Sequence, residues 1–351
     1  MKKGQISESV FKRSVLRQIK THRDEVIKGA GVGEDCAFLA WKKSSKHAII
    51  DNDVANTYTG VSSQTVALPI RNAAYLAAMA AANSLAASGG QPVAMQASIV
   101  LPVNAEEALL KELTGQLEKS CEQCHAELAG VEVQVCDTVT APVITVTALG
   151  EVQVPGEVTA LEDVSAPNNK EQTVAEMDLV VTKWIGLEGT SIIAHAKEAE
   201  LATRYPMHLI HAAQGFERLI SVALEAALAM RSDVCRLYAI RNGGIFGALW
   251  EISRLLGVGL SIDLLKIPVK QETIEVCEFF DVNPYVLLSG GSLLIVTPDG
   301  ETLVKELEEA GIPAAVIGQT NNSNDKVVTN REEVRYLEPT QPDEIMKLSF
   351  N

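Results

Sequence analysis

The sequence predicts an α+β chain of two domains, on three observations. Hydrophobic residues make up 47% of the 351 residues but aromatics only 5%, so the interior must be assembled from Ala, Val, Leu and Ile, the side chains of closely packed sheet and helix layers. Short apolar strands and helical periods alternate through both halves, with glycine pairs such as Gly89-Gly90, Gly243-Gly244 and Gly290-Gly291 at the turns. Between the halves, Pro155 to Glu176 holds Pro, Gly, Asn, Glu and Asp with no sustained period. A chain this long exceeds what one core usually organises, so that stretch reads as a linker between domains at 1–160 and 170–345.

The first domain opens on Ser7 to Lys20, where Val10, Phe11, Val15, Leu16 and Ile19 recur at helical spacing. Cys36 to Trp41 and His47 to Ile50 read as short strands, and Thr57 to Pro69 as polar, irregular chain. Ile70 to Ser88 is an alanine-rich helix stopped at Gly89-Gly90. Pro92 to Leu101 then reads as a strand, Ala105 to Leu128 as a long helix, and Gly130 to Val135 and Pro142 to Val154 as strands.

The second domain starts with the strand Asp178 to Lys183, which turns through Gly186-Leu187-Glu188-Gly189-Thr190 into a helix with Ile192, Ile193 and Ala196 on one face. A helix over about Leu209 to Met230, a strand near Cys235 to Ile240 and a helix beginning at Gly243-Gly244 follow. Then come strands at Gly257 to Ile262 and Leu293 to Val296, helices at Gln271 to Phe279 and Glu301 to Ala310, and strands at Ala314 to Ile317 and Val327 to Thr329.

Chemistry is densest in Lys28-Gly29-Ala30-Gly31-Val32-Gly33-Glu34-Asp35-Cys36, followed by Ile49-Ile50-Asp51-Asn52-Asp53. The glycines let the backbone take positive φ and approach another group closely. If the two intervening strands pair, Glu34 and Asp35 lie beside Asp51 and Asp53 at strand ends. Magnesium takes one or two carboxylates together with phosphate oxygens and water, while glycine amides and a lysine receive phosphate. The stretch is therefore a candidate phosphate-plus-metal site, its alternative being a glycine turn with solvated acids.

Thirty Lys and Arg against 45 Asp and Glu leave a net charge of -15, with no basic run dense enough for a nucleic-acid footprint. Neither nucleic acid nor an anionic membrane surface is an expected partner; an anionic small molecule is compatible where Mg²⁺ or local lysines screen it. The start, Met1-Lys2-Lys3-Gly4-Gln5, has no apolar core behind its lysines, so no signal peptide is expected. The most apolar run, Ile70 to Ala87, is mostly alanine and carries Arg71, Asn72, Asn83 and Ser84, too weak for a membrane span. Six scattered cysteines read as reduced thiols, and the expected location is the cytoplasm.

Taken in order, several stretches resemble the PurM-like superfamily of aminoimidazole ribonucleotide (AIR) synthase, HypE, thiamine-monophosphate kinase and selenophosphate synthetase, and most resemble its HypE-like, AIR synthase-related members. They are Gly31 to Ala37, the Ile50-Asp51 strand end, Asn83 to Pro92, Ala148-Leu149-Gly150-Glu151, Gly186 to Thr190, Gly243 to Glu251, Asn283-Pro284-Tyr285 and Ser289-Gly290-Gly291. The resemblance implies two AIR synthase-like domains, the first binding nucleotide and pairing into a β-barrel-like homodimer, the second an α/β domain with helices on a mixed sheet. It implies ATP and Mg²⁺, used to activate or phosphorylate a small substrate or a protein acceptor. Asp35, Asp51 and Asn83 are the retained positions, and Glu34 stands where the family has Asp or Glu. Lys28 is a phosphate candidate from its place beside the loop, and Gly31 and Gly33 offer amides.

This chain also departs from the family pattern. The Asn-Asp pair ending the alanine-rich helix is Asn83-Ser84 here, and the Gly-Gly-Asp-Thr turn is Gly130-Val131-Glu132-Val133, leaving Gly130 and a longer acid, Glu132. The His-Asp-x-Thr-x-Gly-Gly segment reads Tyr238-Ala239-Ile240-Arg241-Asn242-Gly243-Gly244. Ala239 neither accepts a proton nor binds metal, so a positioning-and-charge mechanism loses stabilisation there. HypE carries a C-terminal cysteine as carbamoyl acceptor, whereas this sequence ends Ser349-Phe350-Asn351. A non-catalytic binding or scaffold relative, with Ser84 and Ala239 in place of acids, is the competing expectation.

Cys121-Glu122-Gln123-Cys124-His125 spells C-x-x-C-H but sits within an expected helix and is read as helix surface; as a zinc site it lacks a second pair, with only Cys136 near in sequence. His208 with His211, and His195, read as surface histidines, Cys36 as a buried strand thiol, and Gly186 to Thr190 as either a turn or an anion-presenting helix start.

Overall fold

The computed structural model describes residues 7–23, 25–34, 36–40, 56–154, 176–232, 234–339 and 342–350. It divides into two compact units, Gln18–Lys170 and Met1–Arg17 with Glu171–Asn351. Helix α1 (Glu8–Ser14), shorter than the periodicity suggested, therefore belongs with the second unit. Its Glu8 carboxylate accepts from Trp250 Nε1 at 3.5 Å and pairs with Arg254 at 3.2 Å. The expected strand at His47 to Ile50, and all of the expected linker but Glu176, lie outside the described residues.

In the first unit β1 (Val26–Lys28), β2 (Ala37–Leu39), β3 (Asn56–Val66), β4 (Gly90–Pro102), β5 (Glu127–Cys136) and β6 (Val143–Val154) form one sheet in the order β1-β2-β3-β6-β4-β5. Neighbours run antiparallel except β4 and β5, whose parallel pairing requires a crossover; α3 (Glu107–Cys124) supplies it. Helix α2 (Ala73–Ala86), the alanine-rich stretch, is almost wholly buried, with Leu76, Met79 and Leu85 fully enclosed. Its small side chains let it lie close on the sheet.

Thr57 to Pro69, expected to be irregular, is mostly the eleven-residue β3, paired with β6 from Asn56↔Val154 to Val66↔Ile144. Ser, Thr and Gly fill this strand, so no hydrophobic alternation marks it. Tyr58, Ser62 and Val66 nevertheless alternate onto the buried face.

The second unit contains β7 (Asp178–Thr182), α4 (Leu187–Ala196), α5 (Glu198–Leu201), α6 (Met207–Gln214), α7 (Ala223–Ala229), β8 (Arg236–Ile240), α8 (Gly244–Leu256), β9 (Gly259–Asp263), α9 (Gln271–Phe279), β10 (Ser292–Thr297), α10 (Gly300–Glu309), β11 (Ala314–Asn321), β12 (Lys326–Asn330) and β13 (Glu333–Tyr336). Its seven strands form a mixed sheet ordered β13-β12-β9-β11-β7-β10-β8, with β9 and β12 parallel. Leu179, Val181, Ile245, Leu249, Ile252, Ile262, Leu294 and Val296 build the core under α8. Both units are thus mixed α+β, and neither sheet closes among the described residues.

The single helix expected over Leu209 to Met230 is broken into α6, a 3₁₀ turn at Gly215–Leu219, and α7. A distant lysine accounts for the break. Lys183 Nζ donates to the carbonyls of Leu219 at 2.8 Å and Ser221 at 2.6 Å, satisfying groups a continuous helix would have used itself. Its charge is met by Glu225 Oε1 at 2.5 Å, both side chains being buried. Burial pulls the Lys183 ammonium below the usual lysine range, against the opposing charge of Glu225.

Candidate functional site

The glycine loop is a β-hairpin connection. Lys28 ends β1 opposite Phe38 of β2, and a small antiparallel bridge between Gly31 and Glu34 closes the turn inside it. Gly33 takes φ 73, the positive φ that the third position of a type II turn demands, so glycine is required there. A Cβ at Gly31 would stand 3.0 Å from Glu34 Cγ.

Closing the turn brings Lys28 and Glu34 together as an ion pair, each side chain only 8% exposed, with the ammonium also 4.9 Å from the centre of the Phe38 ring. Two residues read separately from sequence, one for phosphate and one for metal, therefore neutralise each other. Asp35 and Asp51 lie outside the described residues.

The remaining candidates are spread through the first unit. Asn83 is 5% exposed in the last turn of α2, and beside it Ser84 accepts from Gln64 Nε2 at 3.4 Å. Gly130 and Glu132 lie on β5, registered with Gln96 and Ser98 of β4. In strand order β5 and β1 are opposite edges of the sheet, five inter-strand steps or roughly 24 Å at ~4.8 Å per step. One copy of the unit does not bring Glu132 to Glu34.

In the second unit, three glycine motifs that sequence reading treated separately meet in one cluster. Gly186 N–H donates to Ser289 Oγ at 2.8 Å, Gly189 N–H to Leu288 O at 2.8 Å, and Ser289 N–H to Arg241 O at 3.0 Å. Arg241 forms a two-point pair with Glu188, Nη2 to Oε1 at 3.0 Å and Nε to Oε2 at 3.3 Å, and Glu188 is 2% exposed. A Cβ on Gly290 would collide with Glu188 Oε2, so only glycine leaves room for the carboxylate.

Asp343, 6% exposed, accepts from Gly243 N–H at 2.7 Å, Leu288 N–H at 3.1 Å and Ile345 N–H at 3.0 Å. Burial pushes its carboxyl up to about 6 against those three donors, with the charge of Glu188 adding to the rise.

Models of the AIR synthase related protein N-terminal and C-terminal domains match residues 33–152 and 175–330. The chain belongs to the AIR synthase related family. The N-terminal match begins at Gly33, so Lys28 and Gly31 stand outside it, while Glu34, Asp35, Asp51, Asn83, Gly130 and Glu132 fall within.

The chain is similar to carbamoyl dehydratase HypE of Rhodobacter capsulatus, 25% identical over 248 residues, which span 68% of this chain and 66% of that protein. It shares its fold with hydrogenase maturation protein HypE solved in complex with ATP, at TM-score 0.65 and 15% identity, covering 86% of this chain and 90% of that one. The same holds for AaThiL complexed with AMPPCP and TMP, at TM-score 0.66 and 14% identity, covering 94% and 96%.

Among the described residues of this AIR synthase related protein, the cysteines and histidines form no group of three or more with Asp or Glu that could hold a metal ion. Cys121 and Cys124 lie in the last turn of α3, His125 is its left-handed C-cap at φ 55, and Cys124 Sγ faces Met79 Sδ at 3.9 Å. Burial pushes the Cys124 thiol up to about 11 and the Cys277 thiol up to about 12. Cys36 is buried, His208 and His211 are exposed on α6, and His195 stands 3.7 Å from Glu217. No helix among the described residues is long and apolar enough to cross a membrane.

Proposed function

We propose that this AIR synthase related protein binds ATP with Mg²⁺ at the hairpin turn of its first unit and uses it to activate or phosphorylate a small substrate or a protein acceptor. The observation that carries the reading is the Gly31–Glu34 turn, which brings the buried side chain of Lys28 onto that of Glu34, the residue before Asp35 in sequence. A structural relative solved with ATP supports the same reading.

No group of three or more His, Cys, Asp or Glu able to hold a metal ion occurs among the described residues. The metal would therefore rest on Asp35 and Asp51, and Glu34 would join them only on leaving Lys28. When bound, Mg²⁺ would offset phosphate charge. Lys28, freed by the same exchange, would neutralise a phosphate oxygen, and the amides of Gly31 and Gly33 would donate to it.

The homodimer belongs to the proposal as well. Edge strand β5 leaves Val131, Val133 and Val135 exposed at 40%, 41% and 58%, and an unpaired apolar edge favours a covering strand or sheet. We assign that edge to a second copy, whose Glu132 would be the one available to the site.

Calorimetric titration with a non-hydrolysable ATP analogue, with and without Mg²⁺, tests the reading. Micromolar, Mg-dependent binding that Asp35→Ala abolishes in a folded dimer is the expected outcome. Unchanged affinity in that variant overturns the site.

Ser84 and Ala239 favour a second reading, a non-catalytic scaffold. Ser84 is packed in α2 as a buried side chain, and Ala239 sits in register with Leu293 in the β8–β10 ladder, contributing only a methyl. This reading expects neither heat nor thermal shift with nucleotide.

A further inference from the structure

We propose that residues 342–348 form an intramolecular strap that holds the glycine cluster of the second unit in one arrangement, with Asp343 as its clasp. Asp343 ties together three pieces of chain, the start of α8 at Gly243, the 283–291 loop at Leu288 and the strap's own turn at Ile345, the first two of which also meet through Phe246 N–H donating to Tyr285 O at 3.1 Å. The neighbouring residue doubles the attachment. Glu344 Oε2 accepts from Asn283 N–H at 3.0 Å, and Glu344 N–H donates to Val286 O at 3.4 Å. Ile345 anchors the strap as a buried side chain, 1% exposed.

The strap touches both loops that frame the Glu188–Arg241 pair. Arg241 is two residues before Gly243, and its carbonyl accepts from Ser289, the residue after Leu288. Gly290, whose missing Cβ makes room for Glu188, follows in the same loop. Lifting the strap would remove acceptors from two buried backbone donors outside it, Gly243 and Leu288, and a buried donor left unpaired is costly. The two loops should therefore loosen together, as one local opening unit, while the central strands stay closed. This inference concerns the second unit alone and stands whether or not nucleotide binds the first.

Hydrogen–deuterium exchange of the full chain tests it, comparing wild type with Asp343→Ala and Asp343→Asn. In Asp343→Ala the amides of Gly243 and Leu288 should exchange roughly tenfold to a hundredfold faster, together with those of 342–348, as expected for losing one acceptor each. β10 and α9 should stay as protected as in wild type. Asp343→Asn keeps one acceptor oxygen and should show a smaller increase, which keeps the test decisive if the alanine variant fails to fold. Protection at Gly243 and Leu288 that persists while only 342–348 accelerates overturns the proposal, as does fast exchange of 342–348 in the wild type.

Discussion

The Lys28–Glu34 pair allows the sharpest test of how the candidate site is built. Both side chains are 8% exposed, and the ammonium stands against the Glu34 carboxylate and the Phe38 ring. Breaking a buried pair from one side leaves an uncompensated charge and costs about 3–5 kcal/mol. In Glu34→Gln the amide oxygen still accepts from Lys28 and the Phe38 face contributes about 1 kcal/mol, so the expected loss is near 3 kcal/mol, the low end. Lys28→Met takes the ammonium from a buried carboxylate and should cost about 3–5 kcal/mol. Replacing both by Met removes the desolvation penalty with the attraction and should fall within about 1 kcal/mol of wild type. The coupling energy in this double-mutant cycle is then several kcal/mol, well above the scatter of independent sites. Urea denaturation of the full chain followed by far-UV circular dichroism measures all four proteins. Single variants that each cost less than about 1 kcal/mol would refute the argument, because they would mean that the pair is solvated and exerts no hold on the turn.

Asp343→Asn should change the pH dependence of stability. The folded carboxyl stands at about 6 and its ordinary value at 3.8, so the folded state binds the proton more tightly. Wild type relative to the variant should therefore gain stability as pH falls from above 6 towards 4, by an amount on the order of 3 kcal/mol, read as the difference between two urea series. A flat difference would refute the assignment. Glu188→Gln leaves Arg241 half of its pair, and a loss of about 3 kcal/mol is expected; Gly290→Ala should destabilise by a similar amount through its clash with Glu188. Lys183→Met should free the carbonyls of Leu219 and Ser221 and strand Glu225, making the 215–222 break the first segment cut in limited proteolysis. Glu8→Ala removes the acceptor shared by Trp250 and Arg254, and α1 should lose exchange protection without any change in the core of α8.

What was legible in the sequence follows from the range of the forces involved. Helix α9 runs over the residues its period marks, and α2 lies within its alanine run, because local spacing and an absence of polar side chains are local signals. Strand β3 was invisible because its partner β6 supplies the order, while Ser, Thr and Gly conceal the alternation. The break between α6 and α7 has its cause in Lys183, far earlier in the chain. Candidate residues behaved the same way. Glu188 and Arg241 each fell inside a quoted motif, yet 53 residues separate them, and Asp343 acts on Gly243 across 100. Lys28 and Glu34 were both singled out, but spacing alone cannot say whether two charges await a ligand or serve each other.

Apart from Asp343, whose carboxyl rests on three backbone donors, the buried charges described here come in three compensated pairs, Lys28–Glu34, Lys183–Glu225 and Arg241–Glu188. A polyphosphate approaching the turn meets no free buried cation in Lys28, only one half of a neutral pair, and drawing the ammonium away would leave Glu34 beside the incoming negative charge. Phosphate alone therefore has little to gain there. At the proposed site a divalent ion would change the balance, since it would give Glu34, Asp35 and Asp51 a cation of their own and release Lys28 to the phosphate in the same exchange. On this argument the dependence on Mg²⁺ should be nearly all-or-none, and it should weaken in Glu34→Gln, where a neutral amide oxygen in place of the carboxylate holds Lys28 less tightly. Tight binding of the analogue to wild type in the presence of a chelator would show that the pair does not gate the site.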